Sequence, residues 1–264
     1  MNIINIVNKK ITKVIDDSIL IKVDNEISTV NKIIIDVISD TDLVINYNND
    51  ESEKQNIIIN IAKDIIVNLF ELRQGASSKI QYIYNIAENS STYIYKFNEI
   101  IETKERTFIN LNGHEAKINY NFKTISKNNE EYDFIISHNY KDTESHLTLN
   151  GVNIKEGTLI FNITGDIKKG NTNCIINQES RIISLNDNPC IIKPNLLIEE
   201  YEVSANHSAL IGKFSDDEMF YLQSRGIPET IALNLLIKGF LLSKLEIFKE
   251  KTEILEQIIN KYWR

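Results

Sequence analysis

His207, in the run Ser204-Ala-Asn-His-Ser-Ala-Leu-Ile-Gly212, is the side chain with the widest chemical reach in this sequence. A free imidazole ligates iron, and histidine in place of cysteine is a variant of iron–sulfur cluster ligation. The plainer alternative is a histidine that hydrogen-bonds at a junction between elements, where Ser204, Ala205, Ser208 and Ala209 suggest close packing. Cys174 and Cys190 are too few for a disulfide framework and are spaced wrongly for a zinc site. Both lie on or beside predicted strands and read as small hydrophobes. His138 and His146, with Asp133, Asp142 and Glu144 nearby, lack the spacing of a paired metal site and read as surface or turn residues.

No phosphate loop, nucleophile elbow or dinucleotide fingerprint is present, so ATP chemistry, if involved, must come from a partner. A formal charge of −8 with scattered basic residues argues against a nucleic-acid surface. No signal peptide or membrane span is visible, and with two cysteines the expected location is the reducing cytoplasm. The abundance of Ile, Asn and Lys reads as a compositional bias of the genome rather than as low-complexity function.

The elements that position these residues fall into two classes. From about Ile3 to Val203, short β-branched runs broken by Asn, Asp, Lys and Gly predict strands, among them 56–61, 82–86, 117–122 and 158–163. Runs beginning near Lys117, Tyr132, His146, Thr158 and Thr172 recur loosely, as in a sandwich or a solenoid. After Ser215 the pattern turns helical. Ser215 and Glu218 form a capping box, with Asp216 and Asp217 in the first turn and Gly226 as a stop. Helices are predicted over Ser215–Gln223, from Pro228 to about Ser243, and from about Leu245 to Tyr262. The last carries Leu245, Phe248, Ile254 and Ile258 on its apolar face. The expected division is a β domain over 1–203 and a helical domain over 204–264, with helices covering one end of the β unit.

The wording from His207 to Gly226, a histidine, small residues, a glycine and an acidic helix ending Phe220-Tyr-Leu-Gln-Ser-Arg-Gly226, resembles the C-terminal signature of the SufB/SufD family of iron–sulfur cluster assembly proteins. The resemblance extends through Gln178–Asn188, Pro194–Val203, Tyr132-Asp133, His138, His146 and Gly151-Val152, and downstream to Ala232, Leu235-Leu236, Gly239-Phe240 and Leu241. The SufB type carries a cysteine before the aspartate and a glutamate after the histidine. Here Asn186 precedes Asp187 and Ser208 follows His207, so the chain is similar to the SufD type.

The resemblance implies a right-handed parallel β-helix followed by a small helical domain, acting as a non-enzymatic scaffold. It implies that His207 donates one ligand to a transient cluster shared at an interface with a SufB-like subunit or a second copy of the chain. It also implies that a SufC-type ABC ATPase docks on the C-terminal helices, where Phe220, Tyr221, Arg225, Gly226, Leu235 and Phe240 are the expected contacts. The rival readings are a β-helix enzyme acting on carbohydrate, which needs paired carboxylates on one face, and a solenoid adaptor with no cluster role.

Overall fold

Strands form where β-branched residues alternate with polar ones, because a pleated strand sends successive side chains to opposite faces. The computed structural model describes residues 2–7, 10–24, 31–49, 53–186 and 188–263. Its strands, in chain order, are β1 (Asn2–Val7), β2 (Lys10–Val14), β3 (Ile19–Asp24), β4 (Asn31–Val37), β5 (Thr41–Asn49), β6 (Glu53–Ile61), β7 (Ile66–Gly75) and β8 (Ser78–Ile86). They continue as β9 (Ser91–Ile100), β10 (Thr103–Leu111), β11 (Lys117–Ser126), β12 (Glu130–His138), β13 (Glu144–Asn153), β14 (Leu159–Ile167), β15 (Ile175–Ser184), β16 (Cys190–Ile198) and β17 (Ser204–Gly212). The protein is mainly β, 58% strand, wound as a β-solenoid of about 6 turns.

Each coil gives one strand to each of two sheets. One sheet has the order β17-β15-β13-β11-β9-β7-β5-β1-β2 and the other β16-β14-β12-β10-β8-β6-β4-β3. The coils stack in parallel, and antiparallel pairing is confined, among the described residues, to β1 with β2 and β3 with β4 at the N-terminal end. Inward-facing residues such as Ile59, Tyr84, Ile109, Phe122, Phe134 and Phe161 form one continuous apolar column between the sheets.

The repeat that the sequence shows only loosely is explicit at the corners. Asp64, Asn89, Glu115, Asp142 and Asn173 each take a left-handed conformation, with φ between 54° and 60°. Asp and Asn tolerate this region better than most side chains. They also bind the coil before: Asn89 Nδ2 donates to Asp64 Oδ1 (2.9 Å, 25 residues back) and Asn173 Nδ2 to Asp142 Oδ1 (2.8 Å, 31 residues back). A second ladder runs along the eight-stranded sheet, from Asn110 to Asn85 (2.9 Å), Asn85 to Asn60 (2.8 Å) and Asn60 to Asp36 (2.7 Å). Much of the asparagine excess is therefore architectural.

The helices are α1 (Asp216–Gln223), α2 (Glu229–Leu241), a 3-10 segment at Glu246–Lys251 and α3 (Thr252–Asn260). The capping box forms as expected, with Glu218 N donating to Ser215 Oγ (3.2 Å) and Ser215 N to Glu218 Oε2 (2.8 Å). Gly226 closes α1 at φ 81°.

Three expectations are corrected. The strand pattern runs past residue 203, because Ser204–Gly212 pairs with β15 along its whole length. The helices do not plug the end of the solenoid. They fold back along the flank of the nine-stranded sheet, where Ile237, Leu241, Leu245, Phe248, Leu255, Ile258 and Ile259 pack on Phe70, Tyr95, Phe97, Ile125, Val152 and Ile183. The outward faces of β7 and β9 carry Phe70, Leu72, Tyr95 and Phe97, and those of β11 and β13 add Ile125 and Val152, so the helices remove this hydrocarbon from water. Tyr95 Oη donates to Leu241 O (2.6 Å), and Tyr262 Oη bonds to Glu99, which fastens the far end of the chain to β9. The last predicted helix breaks at Phe248 (φ −120°, ψ 39°). The break shifts the helical phase, so Leu255 and Ile259 are buried while Ile254 is 43% exposed.

Candidate functional site

β16 and β17 are the last strands of their sheets, so each has one edge without a strand partner among the described residues. Residues on β17 are mostly exposed because no further coil covers them. His207 pairs in register with Gln178, which faces the lumen and is 1% exposed. A Cβ on Gly165 would lie 2.9 Å from Gln178 Nε2, so β14 and β15 meet across the lumen at this level. One coil further on, the register partners are Leu196 and His207. His207 therefore stands at the open mouth of the solenoid, exposed, with no hydrogen bond or ion pair among the described residues.

This arrangement offers one nitrogen donor. No group of three His, Cys, Asp or Glu side chains able to hold a metal ion occurs among the described residues. Cys190 opens β16, six residues before Leu196, and at about 3.3 Å per residue it lies roughly 20 Å along the strand from the level of His207. Its sulfur accepts from Asn153 Nδ2 (3.5 Å) instead. Cys174 is fully buried against Ile167 and Ile176. Asn186 is exposed in the loop between β15 and β16, and Asp187 lies outside the described residues.

His138 is not a surface residue, as its polar surroundings in sequence suggested. It is the last inward position of β12, fully buried, with Nδ1 2.8 Å from Thr143 Oγ1 and Nε2 2.9 Å from Ser145 Oγ. Burial lowers its pKa to about 4, so it is neutral near pH 7. His146 points outward, 2.5 Å from Glu144 Oε1 and 3.1 Å from Asn177 Nδ2. The two histidines thus sit on opposite faces of their sheets.

The helical surface exposes aromatic side chains beside an acidic first turn. α1 buries none of its residues, and Phe220 and Tyr221 are 71% and 55% exposed. Arg225 lies over the Tyr221 ring (4.3 Å) beside the turn at Gly226, and Leu235 on α2 is 44% exposed. Phe240 differs: it turns toward the sheet and packs edge-on against Phe214 (6.2 Å).

One buried group was missed in the sequence. Glu71, Arg73, Lys96 and Glu105 all face the lumen at essentially zero exposure. Lys96 Nζ lies 2.7 Å from Glu105 Oε1, Arg73 Nη1 3.4 Å from Glu105 Oε2, and Tyr82 Oη bonds to Glu71. Arg73 stacks over Tyr47 (4.2 Å) and Lys96 over Tyr82 (3.5 Å). Burial lowers the Lys96 pKa. The signal was available: charged residues stand at strand positions where the alternation calls for aliphatic ones.

The parallel solenoid, with exposed His207 on its terminal strand, is the setting in which the family comparison is read. The family model for the SUF system FeS cluster assembly SufBD core domain matches residues 24–240. The chain belongs to the SufBD core family. It is SufD-like. SufD of Bacillus subtilis is 34% identical over 136 residues, which is 50% of this chain and 31% of that protein. SufD of Escherichia coli is 22% identical over 233 residues, 76% of this chain and 53% of that protein. A SufBD family protein of Mycobacterium bovis is 52% identical over 48 residues, 18% of this chain and 12% of the relative. The matches thus span about a third of the Bacillus protein and about half of the Escherichia one. No helix among the described residues is long and apolar enough to cross a membrane.

Proposed function

We propose that this SufBD-family chain is a non-catalytic scaffold subunit of a cytoplasmic SUF-type complex, and that His207 supplies one ligand to an iron–sulfur cluster assembled as cargo. The observation that carries this reading is His207 itself, exposed on a terminal strand and bonded to nothing else in the described chain. One imidazole cannot hold a cluster alone. The remaining ligands come from a second subunit set against the free edges of β16 and β17, either SufB-like or another copy of this chain. Unpaired strand edges recruit further strands through backbone hydrogen bonds.

The exposed aromatic side chains of α1, with Leu235 of α2 and the Arg225-Gly226 turn, form the surface on which a SufC-type ATPase docks. Phe240 supports that surface from beneath by holding α2 on the sheet. ATP binding by that partner then shifts α1 and α2 relative to the last coils and opens the cluster site. Co-expression with a SufB-like subunit and a SufC-type ATPase, followed by purification under anaerobic conditions, tests the assignment. A stable complex carrying iron and acid-labile sulfide supports it, and a chain that captures neither partner removes it. The mass of the complex separates a heterodimer from a pair of identical chains.

A further inference from the structure

A cleft of about 440 Å³ opens between the outer face of the nine-stranded sheet and the turn that follows α2, within the size range of small-ligand sites. Arg181 of β15 and Lys244 of that turn both line it, together with Asn150, Glu179, Ser208 and Ser243. Neither cation has a hydrogen-bond acceptor or carboxylate partner among the described residues. Arg181 is held instead by aromatic rings, with its guanidinium 5.8 Å from the Phe214 centroid and 5.5 Å from that of Phe240, and its Nε is buried and unpaired. A planar guanidinium fixed in this way, with unused N–H groups, suits bidentate recognition of an oxyanion.

The wall behind holds a third basic group, Lys123, which is only partly charged near pH 7. Ser243 Oγ accepts from the buried Lys123 Nζ (3.0 Å) and from Asn150 Nδ2 (3.3 Å). Burial and then the charge of Lys244 lower the Lys123 pKa to about 7, against the opposing pull of Glu246 and Glu179. Lys244 also stands at φ 66°, a conformation that favours glycine, so a lysine here is held at some backbone cost.

We propose that this cleft is a binding site for a phosphate group, either free or carried on a nucleotide, held between Arg181 and Lys244. A bound anion neutralises two unpaired cations and ties the helical flank to the last coils of the solenoid. The site is independent of the role assigned to His207.

Calorimetric titration of the full chain with inorganic phosphate, and separately with ADP, tests it. Saturable one-to-one binding is expected for at least one of them. Equal affinities point to the free anion, and tighter ADP binding points to a nucleotide-borne phosphate. Arg181→Met keeps an apolar stem between the rings, and Lys244→Gly suits the local backbone, so both variants should fold. Each is expected to weaken binding about tenfold or more, as for loss of a charge-assisted hydrogen bond. Lys79→Gln on the opposite sheet should change nothing. Absence of saturable binding of either probe, or binding that survives both cleft substitutions, overturns the proposal.

Discussion

His207 and Gln178 are register neighbours on β17 and β15, yet one is exposed at the mouth of the solenoid and the other is sealed inside it. The Gln178 amide has no hydrogen-bond partner among the described residues. The pair marks the place where the closed lumen ends and a surface begins. A ligand offered at such an edge faces whatever pairs with that edge, which puts the proposed cluster at an interface.

Docking of the ATPase is best tested by side-chain changes, because deleting Pro228 to Arg264 would strip the cover from Phe70, Tyr95, Phe97 and Ile125. That truncation is expected to aggregate or unfold. Phe220→Ala combined with Tyr221→Ala removes exposed rings from a helix that buries nothing, so circular dichroism should be unchanged. Aromatic anchors at interface centres contribute about 2 kcal/mol or more each, so capture of the ATPase should weaken by roughly thirtyfold or more. Undiminished capture would move the docking surface elsewhere.

The lumen charges are predicted to act as a unit. Glu105 accepts from Lys96 (2.7 Å), Thr107 (3.2 Å), Arg73 (3.4 Å) and Asn98 (3.4 Å). Glu105→Leu leaves two buried cations with Glu71 as their only carboxylate in the group, and should cost about 3–5 kcal/mol in urea unfolding. A loss below 1 kcal/mol would mean that water reaches the group.

Glu130 gives a pH signature. Burial raises its pKa to about 7, despite hydrogen bonds from Tyr132 (2.8 Å) and Thr124 (3.0 Å) that favour the ionised form. The folded value lies above the ordinary 4.5, so the folded protein holds the extra proton between these limits. This contribution is fully present below pH 4.5 and is lost as pH rises through 7. Glu130→Gln mimics the protonated form. It should match the wild type near pH 4 and exceed it at pH 8, by up to about 3 kcal/mol. Equal stability at both values would contradict the shift.

Much of this architecture was legible from periodicity. The β-branched runs at 117–122 and 158–163 became β11 and β14, and Ser215 with Glu218 fixed the start of α1. The solenoid itself was legible only through the family signature. Its repeat is carried by single left-handed residues, such as Asn89 and Asp142, at spacings that grow from coil to coil, and no fixed motif survives that drift. The flank position of the helices was hidden because Phe70, Phe97 and Ile125 read as ordinary strand residues until both faces of β7, β9 and β11 are seen to be buried. His207 stood out in the sequence by its residue type, whereas the proposed pairing of Arg181 with Lys244 did not. A cleft formed by residues 63 positions apart, on a strand and a turn, leaves no local pattern.

Ligation of the cluster by His207 is the proposal on which the proposed function rests. His207→Ala changes an exposed side chain that bonds to nothing else in the described chain, so the melting temperature and partner capture should stay at wild-type values. The decisive measurement is the iron and acid-labile sulfide content per complex after anaerobic co-expression with both partners. A clear drop in both is expected for His207→Ala in a complex of normal composition. Wild-type iron and sulfide in that complex would contradict it.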